Sequence, residues 1–215
     1  MNVVYTFLGD YYHNHDYILS SIEKAVDTLE NVKIVDESTD NFIKGLQSTP
    51  SMIILGLENR KYTESKDTYN WFNPKHDDAL EGYVREGGSL FVLHSALASY
   101  DVNSKYINML KGYFISHPEK NCMVRYKAES VKEFDMSKFD FEIMDEHYNL
   151  KVDQNGTNVF MYSYSSEYGR NYGGWFHNYG KGKVICLALT HFKEGLEHNE
   201  VIKLYNKGIK WGLNK

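Results

Sequence analysis

The sequence predicts one α/β domain over residues 1–215, built on a doubly wound, mostly parallel sheet with helices on both faces and some antiparallel strands in the C-terminal half. Short apolar runs alternate with amphipathic stretches through the first half of the chain, which is typical of successive βα units. These runs are continuous rather than alternating, as expected for parallel strands buried on both faces. The length suits one ordinary domain, and no linker, repeat or low-complexity segment divides the chain.

The first elements follow from local patterns. Val3 to Gly9 reads VVYTFLG, a β-branched and aromatic run that predicts a strand. Ile18 to Leu29 places its apolar residues on one helical face. Val32 to Val35, Phe42 to Leu46 and Met52 to Leu57 then predict a second strand, a short helix and a third, buried strand.

The next helix has clear start and stop signals. Asn-Pro at 73–74 supplies a capping residue and a first-turn proline, and Gly-Gly at 87–88 ends the helix. Ser89 to Leu93, with the sequence SLFVL, predicts the fourth strand. The residues at its exit are His94 and Ser95.

After about residue 120 the pattern loosens into short segments that predict partly antiparallel strands. They are Met123 to Tyr126, Phe141 to Met144, Val159 to Tyr164 and Trp175 to Tyr179. A glycine turn at 180–182 leads into Lys183 to Leu189, which is apolar enough to rejoin the core sheet. We expect Asn199 to cap a final helix from Glu200 to Trp211.

Charge and composition exclude several function classes. With a net charge of −5, a pI near 6.0 and no long run of Lys or Arg, the protein is not expected to bind nucleic acid. Its apolar runs are far shorter than the roughly 18 residues that a membrane span requires. No signal-peptide core follows Met1, and two cysteines are too few for a disulfide framework. We therefore expect a cytoplasmic protein.

Histidines and carboxylates are concentrated after the predicted strands, where open α/β sheets bind their ligands. His94 and His191 are candidate general bases, and Glu146 is a candidate acid, base or ligand. His94, His117 and His191 form a candidate nitrogen set for a divalent ion such as zinc. No compact motif such as HExxH supports a metal, so structural roles for these histidines stay an equal alternative. Ser95 is a weaker nucleophile candidate because GxSxG glycines are missing.

The remaining candidates are expected to contact a substrate. They are Asp10, His13, His117, Asp145, Tyr148 and Trp175. Trp175 belongs to an aromatic segment, 162–179, whose rings suit stacking on a sugar. An aromatic hairpin packed on the sheet is the alternative explanation, and it fits most of these rings better.

Four sequence blocks together resemble the ThuA-like (trehalose utilisation) family. They are GGSLFVLHSA at 87–96, GYFISHP at 112–118, DEHY at 145–148 and YGKGKVICLALTH at 179–191. The N-terminal GDYYHNH and the C-terminal GIKWGL are similar as well, and the blocks follow the family's order over most of the chain. The resemblance implies a class I glutamine amidotransferase-like fold that lacks the amidotransferase cysteine at its elbow, so no glutaminase activity is expected.

The same resemblance carries pocket roles onto individual positions. They are His94, Ser95, His117, Asp145, Glu146 and His191. Thr190 stands where the resemblance leads us to expect glycine. The implied function is an enzyme acting on trehalose-like disaccharides or their keto derivatives. A noncatalytic sugar-binding or regulatory protein and a scaffold in a larger complex stay as alternatives, and the sequence also allows a homo-oligomer.

Overall fold

A computed structural model describes residues 1–131 and 138–214 of the chain. The strands are β1 Asn2–Leu8, β2 Val32–Asp36, β3 Met52–Gly56, β4 Arg60–Tyr62, β5 Thr68–Asn70, β6 Ser89–Leu93, β7 Gly112–Ser116, β8 Cys122–Ala128, β9 Asp140–Asp145, β10 Asn149–Val152, β11 Asn158–Ser165, β12 Gly169–Tyr179 and β13 Gly182–Leu187. The helices are α1 His15–Val26, α2 Phe42–Gln47, α3 Pro74–Arg85, α4 Lys105–Leu110, α5 Lys193–Leu196 and α6 Asn199–Gly212.

The main sheet is mixed, with the order β2-β1-β3-β6-β13-β12-β11-β8-β9. Pairs from β2 to β13 are parallel, and pairs from β13 to β9 are antiparallel. The α/β class is confirmed, but the expectation of a mostly parallel sheet holds only for the half that contains β1, β3, β6 and β13. Tight turns join β11 to β12 and β12 to β13, and such turns allow only antiparallel pairing.

Helices cover both faces of the parallel half. Buried residues of α1 and α6, such as Ile22 and Leu204, pack in the core on one face. Residues of α2, α3 and α4, such as Phe42, Leu80 and Tyr106, form the core on the other. The strands between them, such as β3 with every residue buried, therefore lie in a two-sided apolar environment, which explains their continuous apolar runs.

Element boundaries differ from the sequence expectation at two helices. Helix α1 begins at His15, earlier than expected, because the Asn14 side chain accepts a hydrogen bond from the backbone N–H of Tyr17. The predicted Asn199 cap was wrong by one residue: His198 precedes α6 and accepts from the N–H of Glu200.

Two further features concern the cysteines and the helices. Cys122 and Cys186 are both free and buried, as expected for small apolar residues. Among the described residues, no helix is both long enough and apolar enough to cross a membrane.

Candidate functional site

The candidate site lies at the carboxyl ends of the parallel strands, where ligands bind in this class of sheet. The segment after β1 carries His13, β6 is followed directly by His94, and His191 lies just beyond β13. Glu146 follows β9, so the antiparallel half contributes to the same site. Four segments that are remote in sequence thereby supply the side chains of the candidate site.

These four side chains converge on one point. One potential ligand atom from each of His13, His94, Glu146 and His191 lies within 4.8 Å of the other three. Glu146 Oε2 is 3.5 Å from His94 Nε2 and 3.3 Å from His191 Nδ1. His191 Nδ1 is in turn 3.0 Å from His13 Nε2. Ligands about 2.1 Å from a tetrahedral zinc ion lie roughly 3.4 Å apart, so the cluster has the dimensions of a metal centre.

Asp10 orients His13 and does not contact the cavity as a substrate ligand would. Its Oδ1 accepts from His13 Nδ1 at 2.6 Å and from the backbone N–H groups of Tyr12 and His13. Burial would raise the pKa of Asp10, but His13 and the backbone donors lower it overall. Burial also lowers the pKa of His13, which favours a neutral ring with its Nε2 lone pair facing the cluster. The structure thus places Asp10 behind His13, and its contact with a substrate stays a prediction.

His94 is buried in a strained backbone position. It opens the 3₁₀ turn His94–Leu97 with φ of 35°, in the left-handed region that disfavours non-glycine residues. Its Nδ1 donates to the Ala188 carbonyl at 3.2 Å, and Tyr148 stacks on the ring at a centroid distance of 4.1 Å. Among the described residues its Nε2 has no hydrogen-bond partner. This nitrogen points at the cluster, where a metal ion would satisfy it.

Asp145 connects the two segments that carry Glu146 and His191. Its Oδ1 accepts from the backbone N–H of Glu146 at 3.0 Å and of His191 at 2.8 Å. Its Oδ2 accepts from the Thr190 N–H and from the Tyr126 hydroxyl, both at 2.8 Å. Asp145 is fully buried and holds backbone N–H groups of both segments, so the structure does not place it on the cavity wall.

Thr190 takes the conformation of the glycine that the family pattern leads us to expect. Its φ is 78°, which a β-branched residue rarely adopts. Its hydroxyl hydrogen-bonds the Tyr205 hydroxyl at 2.7 Å, and its N–H is held by Asp145. These contacts stabilise the strained turn that aims His191 at the cluster.

The charges within the cluster stabilise one another. Burial would raise the pKa of Glu146, but the nearby His191 and His94 rings hold it well below its ordinary value. Burial would lower the pKa of His191, but Glu146 raises it overall. The carboxylate is therefore ionised, and the position between these groups favours a positive charge.

Other predicted residues lie around the cluster or away from it. His117 is half exposed, with Nε2 3.9 Å from Glu146 Oε1 and Nδ1 donating to the Pro118 carbonyl. His117 lies outside the four-residue group. His13 is the third histidine of that group, where the sequence analysis predicted His117. Ser95 is buried and lines the adjoining cavity, as does Tyr148.

Trp175 does not reach the site. It is fully buried, and its indole N–H donates to the Leu110 carbonyl at 2.8 Å at the end of α4. The ring is part of the core against α4, so the prediction that it contacts a substrate is corrected. Packing of the aromatic segment on the sheet, the alternative explanation, accounts for this residue.

A cavity of about 320 Å³ adjoins the cluster. Its lining is Tyr12, His13, Glu58, Arg60, Ser95, Ala98, Ser99, Phe114, His117, Glu146, Tyr148 and His191. Sequence reasoning missed Glu58, Arg60 and Ser99. Glu58 stands two residues beyond β3, so the rule on strand ends would have indicated it.

Comparison with known proteins agrees with this architecture. The family model ThuA, described as trehalose utilisation, matches residues 4–212. A ThuA-like protein from Parabacteroides merdae is similar with a TM-score of 0.74 and 12% identity, over 99% of this chain and 90% of that one. One from Bacteroides uniformis has a TM-score of 0.68 and 17% identity, over 98% and 90%. These identities show a shared fold alone.

A larger enzyme contains a similar fold. A β-galactosidase from G. stearothermophilus has a TM-score of 0.64 and 10% identity, over 100% of this chain but 30% of that one. No curated protein matches the chain in sequence. Since the family model spans nearly the whole chain, the protein belongs to the ThuA family, described as trehalose utilisation.

Proposed function

We propose that the protein is an enzyme that acts on a trehalose-like disaccharide, or its keto derivative, with the help of a divalent metal ion. The observation that carries this proposal is the convergence of three imidazole nitrogens and one carboxylate oxygen on one point beside a cavity. The family description supports a carbohydrate substrate. The cavity is at the small end of ligand sites, which span about 300 to 1,000 Å³, so we expect one sugar ring to enter it.

The donor set favours zinc or a similar transition ion. Imidazole nitrogens with a carboxylate suit such ions, whereas magnesium and calcium prefer oxygen ligands. His13, His94 and His191 would supply three protein ligands, the usual number in catalytic zinc sites. The fourth position would then be shared between Glu146 and an oxygen of the substrate or of water.

The protein's own groups define the roles around such an ion. A bound divalent ion supplies Lewis acidity to a sugar oxygen or a water molecule. Glu146 lies where it can accept a proton from that oxygen, and Asp10 keeps the Nε2 of His13 directed inward. Tyr148 stacks on His94 and covers one face of its ring.

A noncatalytic sugar-binding protein is the second candidate. If Glu146 and all three histidines bound the ion at once, the coordination would be closed, as in structural zinc sites. The absence of an amidotransferase cysteine after β6, where His94 and Ser95 stand, fits this alternative. Because the net charge is −5, we propose no nucleic-acid partner, and we retain a cytoplasmic location as part of the proposal.

Elemental analysis combined with product detection tests the proposal. We expect about one zinc or similar ion per chain, and conversion of trehalose or a keto derivative of it that stops on chelation and returns when metal is added back. His13→Ala should lose the ion while the circular dichroism spectrum stays native. Conversion that persists without metal would contradict the metal role. Stoichiometric metal and sugar binding without conversion would favour the noncatalytic alternative.

A further inference from the structure

We propose that Glu58 binds the substrate by accepting a hydrogen bond from a sugar hydroxyl. The inference deepens the proposed function and rests on it, since it assigns a ligand-contacting residue in the same cavity. Glu58 is not part of the four-residue cluster. It is a carboxylate that the preceding assignment leaves without a role.

Glu58 lies in the right part of the fold for a ligand contact. It follows β3, which is paired with β1 and β6 in the parallel half of the sheet. Its side chain lines the cavity and is only 4% exposed. Its backbone N–H donates to Asp10 Oδ2 at 2.9 Å, so the strand end that carries Glu58 also holds the residue that orients His13.

Among the described residues, one oxygen of Glu58 is fully occupied and the other has no partner. Oε2 accepts from Arg60 Nε at 2.9 Å and from the Ser99 hydroxyl at 2.6 Å. Oε1 is buried and, within the described parts of the chain, accepts no hydrogen bond. An ionised carboxylate can only accept hydrogen bonds, and a buried acceptor without a hydrogen bond is unfavourable. A donor from a bound molecule would complete its hydrogen bonding.

The chemistry of the surrounding wall favours a neutral polyhydroxylated ring. A sugar hydroxyl can donate to Glu58 Oε1, and the half-exposed guanidinium of Arg60 can donate to a neighbouring hydroxyl oxygen. Phe114, partly exposed on the cavity wall, offers an aromatic face to the C–H side of such a ring. The charge of Arg60 offsets that of Glu58, so this wall favours neither strongly anionic nor strongly cationic ligands.

Glu81 provides a matched internal control. It too is a buried glutamate paired with an arginine, Arg85. Both of its oxygens are occupied, because Oε1 accepts from Arg85 and from the Tyr179 hydroxyl, and Oε2 accepts from Arg85 Nη2. The two glutamates therefore differ in one respect that matters for a ligand, which is the free oxygen of Glu58.

The decisive variant is Glu58→Gln. An amide oxygen in the place of Oε2 can keep the hydrogen bonds from Arg60 and Ser99, so the side chain should hold its position. The amide nitrogen then replaces Oε1 and presents a donor where the sugar requires an acceptor. The backbone contact with Asp10 is unaffected, so the metal cluster should remain intact.

The test is calorimetric titration of trehalose into zinc-loaded wild type, Glu58→Gln and Glu81→Gln, with zinc content measured for each. We expect Glu58→Gln to weaken trehalose binding about tenfold or more at unchanged zinc content, and Glu81→Gln to bind trehalose as wild type does. Equal trehalose affinity of Glu58→Gln and wild type would overturn the assignment. So would zinc-loaded wild type that binds no trehalose, even though the metal site would then stand. Wild type that takes up no zinc, yet binds trehalose with an affinity that Glu58→Gln weakens, would support this inference while refuting the metal role.

Discussion

Two buried histidines, His94 and His177, make similar hydrogen bonds but have different surroundings. His94 donates one ring nitrogen to the Ala188 carbonyl, and His177 on β12 donates one to the Met109 carbonyl at 2.9 Å. In each ring the other nitrogen has no hydrogen-bond partner among the described residues. An unpaired buried nitrogen therefore does not by itself identify a ligand site.

The difference lies in what faces the unpaired nitrogen. Around His94, two further imidazoles and a carboxylate converge, and the backbone is held in a strained conformation. His177 lies within a regular strand, and the charged groups acting on it are Lys111 and Asp153. With Trp175 on the same strand, it satisfies carbonyls at the end of α4, which the helix itself leaves unpaired. The groups around His94 suit a ligand, whereas His177 hydrogen-bonds the end of a helix.

Substitutions of His94 and of His177 should differ most in their effects on turnover and on stabilisation by zinc. We expect His94→Ala to lower turnover by about a hundredfold or more and to abolish stabilisation by zinc, which reaches about 2.7 kcal/mol at a hundredfold excess over Kd. His177→Gln should retain both, because its amide can still donate to Met109. Turnover assays and thermal unfolding with and without zinc measure the contrast. Similar losses in both variants would refute the distinction.

The acid sensitivity of folding should depend on His177. Burial lowers its pKa to about 4, helped by Lys111 and opposed by the Met109 hydrogen bond and Asp153. Below pH 6.5 His177 is protonated in the unfolded chain but stays neutral in the folded protein. The free energy of unfolding therefore falls as the pH drops towards 4. This contribution amounts to ~3 kcal/mol.

Urea unfolding of wild type and His177→Gln between pH 7 and pH 4 tests this effect. The variant should lose less stability than wild type over that range, since Gln does not titrate. Parallel pH profiles would show that His177 does not carry the acid response. Other titrating groups are common to both proteins, so the difference between the two profiles isolates His177.

A smaller effect should separate packing from substrate binding on β12. Trp175→Phe removes the donor to the Leu110 carbonyl and some buried volume, so we expect destabilisation by about 1 to 3 kcal/mol. Trehalose affinity and zinc content of the folded variant should equal those of wild type, because the indole lies in the core. A large loss of affinity at native zinc content would return Trp175 to the site.

The sequence by itself determined the elements of the parallel half and the general position of the site. Continuous apolar runs such as Met52 to Leu57 record burial on both faces, and strand polarity then directs His94 and His191 to the same edge. The hydrophobic pattern of a strand does not show which other strand it pairs with, so the antiparallel half was predicted only in part. Tight turns between β11, β12 and β13 decide that pairing.

Only the tertiary structure decided which groups surround each polar residue. His13 and His191 meet although 178 positions separate them, and a contact of that kind has no local signature. Asp10 and Asp145 were predicted to touch a substrate, whereas in the structure backbone N–H groups donate to their oxygens. The reason is physical: a carboxylate's role depends on which donors reach it, and chain folding brings those donors from several segments.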